Sequence, residues 1–275
     1  METKKTKPII VPWGLTLMSE IAFQHAVGIA KAANTGIALV RLATNQNLIK
    51  EIEEDLGQVA VDLEKKYGIK PEVIVTEGSV YKRFTQLAEE HGSNLIIKHI
   101  NRDISGMEKI TGSKSLKIIA GSMVPYIVVQ NPPKRDTIER IVLPIDHTVE
   151  TKEKLLWLVY FARFCQPFVH IITPKTIDGK KLKYIKNNVS FARNLLEEKG
   201  VKYDISISQN DDFGKTFIDF AHKKDADLII MMLPKDLGFG SLLFGSKEQD
   251  MITNEYGIPI MCVNPRTDLK NVNWK

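Results

Sequence analysis

Short apolar runs alternate with longer amphipathic stretches along the whole chain. In the first half the runs are "PIIVPW" (8–13), "GIALVRL" (36–42), "PEVIVT" (71–76), "NLIIKHI" (94–100) and "PYIVV" (125–129). They are too short for helices, are bounded by turn residues and are rich in β-branched side chains, as buried strands are. Between them "SEIAFQHAVGIAKAAN", "QNLIKEIEEDLGQVAVDLEKKYG", "SVYKRFTQLAEEHG" and "SKSLKIIAG" space apolar residues three and four apart, which lines one face of a helix. The alternation predicts βαβαβαβαβ, a parallel sheet with helices on both faces. The second half repeats it with "RIVLPI", "FVHIIT", "YDISIS", "DLIIMML" and "IPIMCV".

The two halves also match residue by residue. "PIIVPWGLT" from position 8 lies over "RIVLPIDHT" from position 140, Pro12 over Pro144 and Thr16 over Thr148. Further on, Ala88 lies over Ala221, Leu95 over Leu228, Gly112-Ser113 over Gly245-Ser246 and Pro125 over Pro259, so the register drifts by only two residues. So small a drift points to duplication of a whole domain rather than of a short repeat unit. The expected domains are 1–133 and 138–275, joined through "QNPPKRDTIER", whose prolines and charges suit an exposed linker. Right-handed crossovers make each half a doubly wound α/β sandwich, with a ligand crevice where the strand order reverses.

Composition narrows the function classes. A chain of 275 residues, 43% hydrophobic and 26% charged, is ordinary globular material, and no apolar run reaches membrane-spanning length. A cytoplasmic protein without membrane attachment is expected. The net charge of +5 could suggest nucleic acid, but lysines and glutamates are interspersed along the helices, which argues for a solvated surface instead. Cys165 and Cys262 sit in apolar segments without a CxxC neighbour, as buried reduced thiols do. The six histidines show no metal-ligand spacing, and no GxSxG elbow or GxxxxGK[ST] loop occurs. No catalytic residue and no metal is expected; Asp146-His147 is the one pair at a strand end that could do acid–base work, and a helix cap explains it as well.

Two Gly-Ser pairs, Gly112-Ser113 and Gly245-Ser246, open amphipathic stretches after the fourth strand of each half. Two readings are open: a Ser hydroxyl caps orphan amides at a helix start, or small residues let a phosphate approach those amides. Asp146, with Thr148 behind it, is likewise either a cap or an acceptor for a ligand.

Two domains of about 130 residues, a Pro near the end of each first strand, Gly-Ser after the fourth and a closing Pro-led strand together resemble a tandem universal stress protein. The resemblance covers nearly the whole chain. It implies an adenine nucleotide alpha hydrolase-like fold, with the two halves paired through their last strands as an intramolecular pseudo-dimer; self-association of the whole chain stays open. Nucleotide-binding members of that family carry Gly-x2-Gly-x9-Gly-Ser/Thr after the fourth strand and an Asp at the end of the first.

Here that pattern is worn. The first two glycines read His99 and Arg102 in the first half, Met232 and Lys235 in the second. The acidic position is expected at Trp13 in the first half, where an indole would fill the adenine space, and at Asp146 in the second. A nucleotide, ATP or AMP, is therefore expected at Asp146, His147, Thr148, Met232, Lys235, Gly245 and Ser246 if anywhere, with Trp13, His99, Arg102, Gly112 and Ser113 as degenerate counterparts. No cofactor is certain. The resemblance implies a stress-response protein acting through conformation and a protein partner without turnover. An ATP-binding switch using the second domain, even one hydrolysing slowly, is the alternative; a nucleotidyl-transferring enzyme on a related sheet is a further one.

Overall fold

A computed structural model of the chain describes residues 7–14, 18–101, 118–210, 212–233 and 246–265. The chain divides into two compact units, Met1–Thr137 and Ile138–Lys275.

In the first unit β1 (Ile9–Pro12), β2 (Ile37–Ala43), β3 (Glu72–Glu77), β4 (Ile96–His99) and β5 (Tyr126–Val129) run parallel in the order β3-β2-β1-β4-β5. The apolar runs become strands because both faces of the sheet are covered: Ile9, Ile10, Val11, Leu39, Val40, Ile96 and Ile97 are buried. Helix Met18–Ala33 turns Ala22, Phe23, Ala26, Val27, Ile29 and Ala30 inward, the stripe its sequence spacing predicts. Helix Ile49–Tyr67 stops at Gly68, whose φ of 74° lets its N–H turn back to Glu64 at no steric cost. Helix Val80–Glu90 precedes β4, and residues 118–120 are helical before β5.

The second unit repeats the plan. Strands β6 (Arg140–Pro144), β7 (Phe168–Thr173), β8 (Tyr203–Ile207), β9 (Leu228–Met232) and β10 (Ile260–Val263) lie parallel in the order β10-β9-β6-β7-β8. Helices Thr151–Cys165, Gly179–Glu198, Phe213–Lys223 and Ser246–Ile252 connect them. Asp178 caps the second of these by accepting from the amides of Lys180 and Lys181, and Asp212 caps the third through Lys215.

The closing strands show why a proline leads each of them. Pro125 and Pro259 lack an N–H, but each carbonyl accepts from the neighbouring strand, Ile96 N–H at 3.1 Å and Ile229 N–H at 3.0 Å. A proline can begin a strand on those terms, though not sit inside one. In each unit's own strand order the closing strand is terminal.

The segment after β5 is held to the first unit. The carbonyl of Asn131 lies 2.9 Å from His25 Nε2, and a Cβ on Gly28 would meet the Asp136 carbonyl oxygen at 2.4 Å. Glycine is needed there for close approach of the chain to the helix. Cys165 is half-buried and Cys262 buried, both as free thiols. Among the described residues no helix is long and apolar enough to cross a membrane.

Candidate functional site

The strand order reverses between β1 and β4 in the first unit and between β6 and β9 in the second. The strand ends at those two reversals are built alike and furnished differently.

Beyond β1 and β4 lies a cleft of about 530 Å³. Leu42, Leu48, Ile52 and Phe84 make much of its wall, Trp13 stands on it, and Arg41, Lys98 and His99 add polar groups; no Asp or Glu is among its described lining residues. Trp13 is held edge-on to Phe23 with ring centres 6.4 Å apart, and Phe23 packs against Tyr67 at 5.6 Å. The Tyr67 hydroxyl donates to Glu20 at 2.6 Å, and Lys66 bonds the same carboxylate at 2.7 Å, so the indole wall is braced through three rings to an ion pair on the surface. Hydrogen bonds from Lys66 and Tyr67 hold the Glu20 carboxyl below its ordinary value.

Lys98 lies in β4 after three buried residues, Leu95 just before the strand and Ile96 and Ile97 within it. Burial pushes its ammonium below the ordinary lysine value. Among the described residues neither Lys98 nor Arg41 makes an ion pair. Beside Lys98, burial also pushes the His99 imidazole down, against a hydrogen bond to the Gln130 backbone that raises it.

In the second unit the chain's own side chains tie the strand end together. Asp146 Oδ1 accepts from Thr148 N–H at 2.9 Å, Thr148 Oγ1 at 2.6 Å and Thr151 Oγ1 at 2.9 Å. Asn188, buried on helix Gly179–Glu198, donates to the carbonyls of Asp146 and Thr148 at 2.9 and 2.8 Å. Lys154, only 3% exposed, donates to the Pro144 carbonyl. Burial pushes its ammonium down to about 8 although the Asp146 charge opposes this. Burial would raise the Asp146 carboxyl, but the bonds from Thr148 and Thr151 and the charge of Lys154 outweigh it and leave it below the ordinary carboxylate value. His147 is exposed, and Thr148 is half-buried.

Two expectations need correction. Trp13 does not fill the first crevice; it forms one wall of a cleft. Nor does it occupy the position of Asp146. Trp13 N–H donates to Val40 at 2.8 Å just as Ile145 N–H donates to Ile172 at 2.8 Å, so the residue equivalent to Asp146 is Gly14. The Gly14 N–H donates to Ser19 Oγ at 2.9 Å, and Ser19 holds the place that Thr151 has in the other unit. The first crevice therefore lacks the acid because a glycine stands there, and the indole beside it is free to line the space.

The other sequence candidates divide. His99 ends β4 and lines the cleft, and Met232 ends β9. Ser246 begins helix Ser246–Ile252, its side chain lying outside the described residues. Arg102, Gly112, Ser113, Lys235 and Gly245 fall outside the described residues. Sequence reasoning missed Lys98, Arg41, Lys154 and Asn188. Lys98 carried a signal, a lone charge within the apolar run "NLIIKHI". Lys154 carried a subtler one, since it shares the inward face of its helix with Leu155, Leu158 and Phe161.

No protein-family model matches the sequence, and no curated protein matches it. Solved structures do. A universal stress protein from Archaeoglobus fulgidus DSM 4304 superposes with a TM-score of 0.69 at 14% identity, covering 95% of this chain and 100% of its own. The chain has the universal stress protein fold. A candidate universal stress protein from Pseudomonas aeruginosa UCBPP-PA14 matches at TM-score 0.62 and 15% identity over 94% of both chains. A functionally unknown protein from Pseudomonas aeruginosa PAO1 gives TM-score 0.60 and 15% identity over 94% of this chain and 93% of that one. Within the universal stress protein fold, then, this chain pairs one strand end furnished with cations and an indole with another held by an Asp, two threonines, an Asn and a buried lysine.

Proposed function

We propose that this is a stress-response protein that works through conformation and partner binding, without turnover, and whose nucleotide positions have been given over to other uses. One observation carries the reading: Asp146, the acid that would receive an adenine, has its Oδ1 engaged by Thr148 and Thr151, with the Lys154 ammonium buried beside the same strand end. A carboxylate so engaged serves the fold, tying the end of β6 to Thr151, the first residue of helix Thr151–Cys165. In the first unit the equivalent position is Gly14, and His99 stands where a glycine would let ribose and phosphate approach the backbone. The experiment is acid extraction of the purified protein followed by mass spectrometry, with ATP titration calorimetry beside it. Extracts free of stoichiometric nucleotide and ATP binding weaker than millimolar are expected; stoichiometric ATP or AMP overturns the reading.

A second reading is an ATP-binding switch using the second unit. It is favoured by the lowered pKa of Asp146, which the bonds from Thr148 and the charge of Lys154 bring about against burial and which keeps that group an anion and an acceptor at neutral pH. It requires that Met232 and Lys235 obstruct rather than make the site. On that account Met232→Gly with Lys235→Gly raises ATP affinity, because backbone access is restored; unchanged affinity in the folded double variant removes the switch.

A further inference from the structure

We infer that the first-unit cleft is a binding site for a small organic acid, a ligand with one anionic group met by Lys98 and an apolar body lying against Trp13, Leu42 and Phe84. The inference rests on the first unit alone and is independent of the reading of Asp146.

Charge and burial lead to it together. Arg41 and Lys98 are cations on the cleft lining, and among the described residues no carboxylate side chain lines it and neither cation has an ion-pair partner. An ammonium placed in apolar surroundings without a counter-charge destabilises the fold, so a lysine in this position is an expense unless something outside the chain meets it. The second unit shows that the fold has no need of it: the strand-end residue equivalent to Lys98 is Met231, which is buried. Convergent polar groups in a mostly apolar concavity are the usual form of a small-molecule site. The volume of about 530 Å³ lies within the range of roughly 300–1,000 Å³ of such sites.

The same residues select among anions. Inorganic phosphate or sulfate would leave the apolar wall of Leu42, Leu48, Ile52 and Phe84 unused. A nucleoside triphosphate would bring several negative charges to two cations, and the His99 side chain stands where its phosphates would need bare backbone. A carboxylate on an aromatic or aliphatic body matches both the charge and the wall. Trp13, braced by Phe23 and Tyr67, offers a preformed surface, so little ordering is lost on binding.

The test uses the whole chain with 2-naphthoate and its neutral isostere 2-naphthamide, titrated by calorimetry. Naphthoate is expected to bind at one per chain and at least tenfold more tightly than naphthamide, the increment of a charged hydrogen bond in a desolvated site. Lys98→Met should bring the two ligands to equal affinity, Lys98→Arg should keep the preference, and Trp13→Ala should weaken both ligands. Equal affinities in the unaltered protein overturn the proposal, as does failure of both ligands to bind; neither result needs a variant that folds. A preference that survives Lys98→Met overturns it too. ATP that displaces naphthoate at lower concentration than naphthoate itself binds would assign the cleft to nucleotides instead. Nucleotide found in extracts but without effect on naphthoate would overturn the partner-binding reading and leave this one standing.

Discussion

The two units place a lysine near the same strand ends by different routes. In the first unit Ala22, fully buried, lies on the helix after β1, and the charge comes from the strand as Lys98. In the second the repeat register puts Lys154 over Ala22 and Met231 over Lys98, so the charge comes from the helix and the strand end is apolar. The consequences diverge because only the second unit supplies the rest of a network. Lys154 meets the Pro144 carbonyl and the field of Asp146; Lys98 meets a cleft wall. A buried ammonium with a carbonyl and a carboxylate near it is tied into its own unit even though burial disfavours its charge, whereas Lys98 has no ion-pair partner among the described residues.

That contrast can be broken by substitution. The largest effect is expected for Asp146→Ala, which removes the acceptor of Thr148 and Thr151 and leaves Lys154 buried without an opposite charge. A loss of about 3 kcal/mol is expected, in line with breaking one partner of a buried charge pair, read from the urea midpoint of the transition that reports the second unit. Lys154→Met should follow at about 2 kcal/mol, chiefly for the unpaired Pro144 carbonyl. Thr151→Val removes one of the three donors to Asp146 Oδ1 and should lose about 1 kcal/mol, while the Asp146 carboxyl moves back toward its ordinary value in an NMR titration. The same chemical change in the first unit carries the opposite sign: Lys98→Met should stabilise by about 1 kcal/mol, because it relieves an uncompensated charge. If Lys98→Met destabilises as much as Lys154→Met, the two lysines are alike and the contrast fails.

Acidity separates the networks further. The Lys154 ammonium titrates near 8 in the folded chain against 10.5 unfolded, so between those values the unfolded chain holds the extra proton. Stability therefore rises with pH across that window, by up to about 1.4 kcal/mol per pH unit from this group. Burial of the charged form is unfavourable below the window and is relieved above it. The difference between the unaltered protein and Lys154→Met, followed by denaturation at pH 7.5 and 10, should carry this slope; parallel curves would show that Lys154 is not held as described. Asp146 acts at the other end. Its lowered value stabilises the fold above the ordinary carboxylate value of 3.8, and that stabilisation is lost as pH falls through the folded value.

Much of the fold was legible because it depends on local pattern. Short β-branched runs and amphipathic stretches must become covered strands and helices wherever they sit, and Pro125 and Pro259 mark strand starts because a residue without an N–H can occupy few other places. The site was less legible. A one-residue slip beside Pro12 assigned the acid position to Trp13, although the same alignment of Pro12 over Pro144 puts Gly14 over Asp146. The backbone bond from Trp13 to Val40, matching that from Ile145 to Ile172, removes the ambiguity, since in a parallel sheet register is set by which amide meets which carbonyl. Lys98 was visible as a charge inside an apolar run, but its meaning depends on what surrounds it in the fold, and Trp13, Arg41 and Phe84 reach the same cleft from other parts of the chain.

By itself the sequence determined the duplication, the alternation of strand and helix and the parallel doubly wound class, because hydrophobic periodicity and Pro placement act through near neighbours along the chain. Tertiary structure alone decided which charges are answered. Asp146 is joined by Asn188 from 42 residues away, while Trp13, Arg41 and Lys98 come together from three different strand ends. Electrostatic compensation depends on distance in space and on the loss of water between the partners, and neither is written in the order of residues.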